Sequence, residues 1–235
     1  KQAIAESVNR ITAYLMKQFG PQAVIDVARK MGITSHIDPY PSICLGTPDI
    51  SVYEMVGAYS TFAAKGVWTE PVFITRIEDQ HGNVLQEFVP RKVEAISEEP
   101  AYLMTNLLQG IVQGWGTGVR LRYQYKFTQP MAGKTGTTQN HSDGWYIGIT
   151  PELVSGAWVG CEDRSAHFRS ITLGQGAEMA LPIWALYMQK VYGDKELNIY
   201  QGDFERPAEK LSVETDCSKY KDQQKDDKDN DDEGF

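Results

Sequence analysis

Cysteine and histidine are scarce in this sequence. Its 235 residues include three cysteines (Cys44, Cys161, Cys217), odd in number and far apart, and four scattered histidines (His36, His81, His141, His167). That excludes a disulfide framework and the short spacings of a zinc site. No metal and no cofactor is expected. A basic excess is also lacking, with 23 Lys and Arg against 31 Asp and Glu, a net charge of -8 and a pI near 5.1. Nucleic-acid binding needs clustered basic surface, so that class of partner is excluded. Long apolar runs are missing too. The stretch Met179 to Met188 falls well short of the roughly 20 residues of a membrane span. There is no signal peptide. The chain opens on Lys1, already inside a helical pattern. A fragment of a longer protein is therefore expected, and absent targeting signals leave the compartment open.

What is present is ample for a core: one large domain or two small ones. Ala3 to Phe19 carries Ile11, Leu15, Met16 and Phe19 at helical spacing, and Gly20-Pro21 stops it. A second helix runs from Pro21 to about Met31. Thr34 to Asp49 is a Pro- and Gly-punctuated loop. Ser51-Val52-Tyr53-Glu54 has the form of a capping box and opens a helix to Lys65. Val72 to Asp79 and Val84 to Phe88 flank His81-Gly82-Asn83 as a hairpin. Ser97 caps a helix with Leu103, Met104, Leu107, Leu108, Ile111 and Val112 on one stripe. Trp115-Gly116-Thr117-Gly118 breaks it, reading equally as a turn or as the border of a cleft. Arg120, Arg122 and Lys126 read as a solvated basic patch. Met131 to Thr137, Gly144 to Thr150 and Val154 to Cys161 read as three successive strands, with Trp145 and Tyr146 as sheet core. Gly176 to Tyr192 is a closing helix with Met179, Ile183, Leu186, Tyr187 and Val191 on its apolar side. From about Asn198 the composition turns polar and acidic. Asp216 to Phe235, rich in Asp, Lys and Gln, is expected to be disordered.

The stretch Gly133-Lys134-Thr135-Gly136-Thr137-Thr138 stands out, since a lysine, hydroxyls and glycines contribute little to a core. In an extended segment Lys134 and Gly136 share one face and Thr135 and Thr137 the other. Glycine allows another backbone to approach closely. Such a strand edge would dock an extended ligand carrying a carboxylate; a Gly-containing strand with a solvated lysine is the plainer reading. A phosphate loop is excluded, because the pattern needs a glycine where Thr128 stands and a helix where a polar turn follows. Ser7-Val8-Asn9 places two short polar side chains near a helix start, where a simple N-cap would also account for them.

Lys134-Thr135-Gly136 and Ser7-Val8-Asn9 match two of the three motifs of penicillin-recognising serine acyltransferases, Lys-Thr-Gly and Ser-x-Asn. The wider context is more specific. Gly32-Ile33-Thr34, Pro41-Ser42-Ile43-Cys44-Leu45-Gly46, Glu54 to Ala63, Ala132 to Thr138 and Pro182-Ile183-Trp184 resemble the transpeptidase domain of class A, bifunctional penicillin-binding proteins, in order from about Ala3 to Tyr192. The resemblance implies an α/β (α+β) fold of the β-lactamase/transpeptidase kind, an antiparallel sheet flanked by helices plus a helical subdomain. Residues 1–197 would be the C-terminal part of that domain and 198–235 a tail. It implies peptidoglycan D,D-transpeptidation, with Ser7 relaying a proton, Asn9 holding a substrate amide, and Lys134 supplying a positive field. Thr135, Gly136 and Thr137 would receive the substrate carboxylate along the strand edge, and the Thr137 N–H would be half of an oxyanion hole. Stem peptides and β-lactam antibiotics are the implied ligands, and other cell-wall synthesis proteins are possible partners. The implied location is the outer, periplasmic face of the bacterial cytoplasmic membrane. No Ser-x-x-Lys precedes Ser7 with the family's placement, and Ser218-Lys219 has the wrong spacing. The nucleophile, its lysine base, a glycosyltransferase domain and the membrane anchor are thus expected upstream, and this chain alone is expected to be inactive. A β-lactamase-like hydrolase and a non-catalytic β-lactam-binding scaffold share the motifs and remain open.

Overall fold

A computed structural model describes residues 1–216 and Lys219. Contacts divide the chain into a body, Lys1–Glu205, and a short C-terminal unit, Arg206–Phe235. Apart from Asp216 and Lys219, the stretch expected to be disordered lies outside the described residues, as does Cys217.

The body opens with one helical turn, α1 (Gln2–Ala5), and a long helix, α2 (Asn9–Lys30). The continuous helix expected from Ala3 is therefore broken at Glu6-Ser7-Val8. Ser7 has φ 55° there, a left-handed conformation that costs a non-glycine residue about 1–2 kcal/mol. The Gly20-Pro21 stop is real: Gly20 has φ 76° and ψ 161°, and the helix restarts on Pro21, whose missing N–H is harmless at a first turn. A 3-10 turn (Pro41–Leu45) interrupts the following loop. Helix α3 (Val52–Ala63) begins with the capping box, in which the Ser51 hydroxyl accepts from the Glu54 N–H. The Glu54 carboxylate also accepts from the backbone and hydroxyls of Thr34 and Ser35. Burial raises its pKa, but these donors outweigh burial and hold it far below the usual carboxylate range.

Two small antiparallel pairs follow. Strand β1 (Val67–Thr69) pairs with β4 (Lys92–Glu94), and the expected hairpin forms between β2 (Arg76–Glu78) and β3 (Val84–Glu87). Trp68 of β1 lies against Gly32, where a Cβ would fall 2.2 Å from its ring. Together with Ile25, Met31, Ile33, Ile37 and Ala58 it makes the core of the helical subdomain. Helix α4 (Glu98–Leu108) starts after Ser97, although the Ser97 hydroxyl makes no cap bond. A 3-10 turn (Gln109–Val112) carries the chain to α5 (Arg120–Tyr123).

The sheet is an antiparallel meander, β5 (Ala132–Thr137), β6 (Asp143–Ile149) and β7 (Val154–Gly160), in the order β5-β6-β7. Hairpin-length turns dictate that neighbour-by-neighbour pairing. Helices α6 (Ile171–Gly174), α7 (Gly176–Met179) and α8 (Leu181–Gly193) close the body. Ile147 and Gly148 point to opposite faces of β6. Trp184 of α8 lies flat on Gly148, and Val56 of α3 reaches Gly156, the partner of Ile147. Helices α8 and α3 therefore cover opposite faces.

The principal core joins Tyr146 of the sheet to Leu181, Trp184, Ala185 and Met188 of α8 and to Ile111, Leu121 and Phe127. This corrects the expected face of the closing helix. Ile183, Leu186 and Tyr187 are exposed; the helix is split at Ala180, and its second segment packs on the sheet through the stripe centred on Trp184.

Candidate active site

Strand β5 is the edge of the sheet, and α1 with the break after it lies beside that edge. The side-chain alternation read from the sequence holds. Lys134 faces Ile147 across the ladder and projects on the α3 side, whereas Thr135 faces Tyr146 and projects on the α8 side. From that position the Lys134 Nζ donates a hydrogen bond to the Ser7 Oγ, 127 residues away in sequence. It also donates to the Thr135 carbonyl at 3.0 Å. Ser7 is not an N-cap. The residue before α2 is Val8, which makes no side-chain cap, and the Ser7 hydroxyl is engaged by the lysine instead.

Burial lowers the pKa of Lys134 from 10.5 to about 8. Its ammonium is thus charged at neutral pH and incompletely hydrated, so its field at Ser7 is weakly screened. Asn9 is the first residue of α2, exposed to solvent two residues from Ser7. Gly136 sits where a Cβ would come within 3.0 Å of the Trp145 Cβ, so the strand is close-packed there.

The two threonine hydroxyls are fixed from behind. The Thr137 Oγ1 accepts the Gly176 N–H at 3.0 Å, from the first residue of α7. The Thr135 Oγ1 lies 2.7 Å from the Thr117 Oγ1. The Thr117 N–H in turn donates to the Ala5 carbonyl at 3.1 Å, two residues before Ser7. The Trp115–Gly118 segment is the turn that follows the 3-10 helix, and it touches both the end of α1 and the motif strand. Its glycines are sterically required at one position: a Cβ on Gly116 would lie 2.1 Å from the Ile111 carbonyl oxygen.

The basic patch is not simply solvated. Arg120 donates to the Ala177 carbonyl at 2.8 Å and pairs with Glu178 at 2.6 Å, and Arg122 donates to the Phe127 and Gln129 carbonyls. Sequence reading missed Arg120 and Gly176 as parts of this region and gave Thr117 only as one residue of a turn that could border a cleft. The one available signal was a hydroxyl flanked by two glycines at a helix break.

Among the described residues no group of His, Cys, Asp or Glu side chains is arranged to hold a metal ion, and no helix is long and apolar enough to cross a membrane. A cavity of about 510 Å³, lined by Phe62, Lys65, Glu98, Tyr102, Tyr200 and Phe204 among others, contains none of the motif residues.

Residues 1–156 match the family model for the penicillin binding protein transpeptidase domain. Penicillin-binding protein 1A of Aquifex aeolicus (strain VF5) is 33% identical over 214 residues, covering 91% of this chain and 28% of that protein. The chain thus spans about 28% of that relative's length. The PonA1 protein from Mycobacterium tuberculosis, solved in complex with penicillin V, superposes with a TM-score of 0.74 at 25% identity over 90% of this chain and 60% of that one. Penicillin-Binding Protein 1A from Haemophilus influenzae gives a TM-score of 0.73 at 24% identity, over 90% of this chain and 35% of that one. The mixed helix and strand architecture is the fold of these neighbours, and the chain belongs to the family of penicillin-binding protein transpeptidase domains.

Proposed function

We propose that this chain is the C-terminal part of the transpeptidase domain of a bifunctional penicillin-binding protein, and that the longer protein cross-links peptidoglycan. The observation that carries this is the Lys134 ammonium donating to the Ser7 hydroxyl at the edge of the sheet, within a chain of this family. A lysine and a serine so far apart in sequence are held together at a strand edge open to an extended ligand.

In this reading a serine supplied by an upstream Ser-x-x-Lys segment attacks the carbonyl of a D-Ala-D-Ala amide. The C–O bond forms, the C–N bond breaks, and D-Ala leaves with a proton. An amine of a neighbouring stem peptide then attacks the ester and releases the serine. Dividing the transfer through an acyl-enzyme is covalent catalysis. Ser7 carries protons between the upstream lysine, the leaving amine and the incoming amine, and the Lys134 cation beside it keeps its oxygen acidic enough to pass them on. Asn9 holds the amide of the substrate side chain.

The substrate lies along β5, where Gly136 leaves the edge clear. Its carboxylate meets the hydroxyls of Thr135 and Thr137 in the field of Lys134. The Thr137 N–H contributes to an oxyanion hole, a donor whose loss typically costs about 2.7–4 kcal/mol of transition-state stabilisation. Stem peptides and β-lactams are the proposed ligands, and the outer face of the cytoplasmic membrane is the proposed location. The test is acylation by a fluorescent penicillin, seen as a covalent band in denaturing electrophoresis. The longer protein should label, and the chain Lys1–Phe235 alone should not.

A further inference from the structure

We infer that Thr117 is a positioning residue for carboxylate recognition, linking the Ser7 segment to the Thr135 hydroxyl. The inference rests on the transpeptidase reading and adds to it a residue outside the recognised motifs. Thr117 makes two bonds in two directions. Its N–H donates to the Ala5 carbonyl at 3.1 Å, which fixes the turn to the end of α1 just before Ser7. Its Oγ1 lies 2.7 Å from the Thr135 Oγ1.

The turn itself has little freedom. The Gly118 N–H donates to the Ile111 carbonyl at 3.0 Å, and Gly116 packs so tightly on the same carbonyl that no side chain fits. Three residues on, Arg120 grips α7 through the Ala177 carbonyl and Glu178. That helix in turn donates the Gly176 N–H to the Thr137 hydroxyl. One short segment, 116–120, thus braces both threonines of the strand from the side away from Lys134.

The chemistry follows from the hydroxyl pair. A hydroxyl has a single proton to donate and can accept as well. Where Thr117 donates to Thr135, the Thr135 proton is released from the protein and points outward. A bound carboxylate is an acceptor only, so it selects that orientation, and the two hydroxyls become a chain of donors ending on the anion. Without Thr117 the Thr135 side chain loses the partner that fixes its rotamer, and part of the binding energy goes into ordering it. The effect belongs to binding and not to the chemical step.

Thr117→Val keeps the shape and the backbone bond to Ala5 and removes only the hydroxyl. Thr117→Ser keeps the hydroxyl. A neutral hydrogen bond contributes about 0.5–1.5 kcal/mol, so Thr117→Val should weaken penicillin binding about 3- to 10-fold, with the limiting acylation rate constant within about twofold of wild type. Thr117→Ser should recover most of the loss. Thr135→Val and the double variant should be nearly equal, since the removed partner has nothing left to orient. A penicillin whose carboxylate is esterified should not distinguish Thr117→Val from wild type.

The measurement is the concentration dependence of acylation in the full-length protein. The proposal falls if Thr117→Val binds within twofold of wild type. It also falls if its effect adds in full to that of Thr135→Val, if Thr117→Ser fails to rescue, or if the ester is affected equally. Those failures leave wild-type acylation intact and so spare the transpeptidase reading. A wild-type protein that is never acylated removes both.

Discussion

Lys134 has a pKa of about 8, against 10.5 for a free lysine side chain, because burial penalises its charged form. If its cation draws in the substrate carboxylate and supports Ser7, acylation must follow its titration. About nine-tenths of the ammonium is charged at pH 7, half at pH 8 and about one-tenth at pH 9. The second-order rate of acylation by a carboxylate-bearing penicillin should therefore fall about tenfold between pH 7 and pH 9. A lysine of ordinary pKa would leave the rate nearly level over that range.

Stability moves the other way. The folded chain gives up this proton at about pH 8 while the unfolded chain keeps it to 10.5. Over that interval the unfolded state binds more protons, so the linked stability rises with pH and is lowest where both states are charged, below about 8. A fall in acylation alongside steady or rising stability cannot be unfolding. In Lys134→Arg the guanidinium stays charged throughout, and the alkaline decline should disappear even if the absolute rate is lower. The assay is stopped-time labelling of the full-length protein from pH 6 to pH 9.5, corrected for hydrolysis of free penicillin. A profile level to pH 9.5, or the same decline in Lys134→Arg, would refute the assignment.

Trp184→Ala should cost about 3–5 kcal/mol, since the side chain is almost wholly buried between Gly148, Tyr146 and Phe127. Urea denaturation followed by circular dichroism measures it, and a loss under about 1 kcal/mol would mean the core is organised elsewhere. Gly176→Ala would bring a methyl within 2.2 Å of the Gly136 carbonyl and 2.5 Å of the Trp145 carbonyl, pushing α7 off the strand. If the strain of about 1–3 kcal/mol falls on the motif strand, acylation should slow about 5- to 160-fold. Gly193→Ala, with open space around it, is the control that should change nothing.

The elements that were legible in the sequence are those fixed by local chemistry. Turn lengths in the Met131–Cys161 stretch dictate an antiparallel meander, Ser51 and Glu54 three residues apart make a capping box, and Gly20-Pro21 stops one helix and starts another. The alternation that sends Lys134 and Thr135 to opposite faces is equally local, which is why the motif strand could be oriented in advance. What escaped depends on distant partners. The left-handed break at Ser7 is not legible in the sequence, although the resemblance does bring Ser7 and Lys134, 127 positions apart, to one site. The β1–β4 pair joins short segments far apart in sequence. On α8 both Ile183 and Trp184 are apolar, and Trp184 is the one that packs on Gly148, Tyr146 and Phe127. Arg120 read as solvated because its acceptors, Ala177 and Glu178, come from an element more than fifty residues later. Thr117 falls in a possible cleft border on sequence alone, but its partners Ala5 and Thr135 escaped for the same reason.

We propose that this chain holds the binding and proton-relay half of an acyl-transfer site whose nucleophile is supplied by an upstream Ser-x-x-Lys segment. The most direct test of that proposal is to acylate the full-length protein with a penicillin, digest it, and identify the modified peptide by mass spectrometry. One ester-linked penicilloyl group is expected on a serine of an upstream Ser-x-x-Lys segment, with no modification between Lys1 and Phe235. A penicilloyl group on Ser7, or on any other serine of this chain, would contradict it.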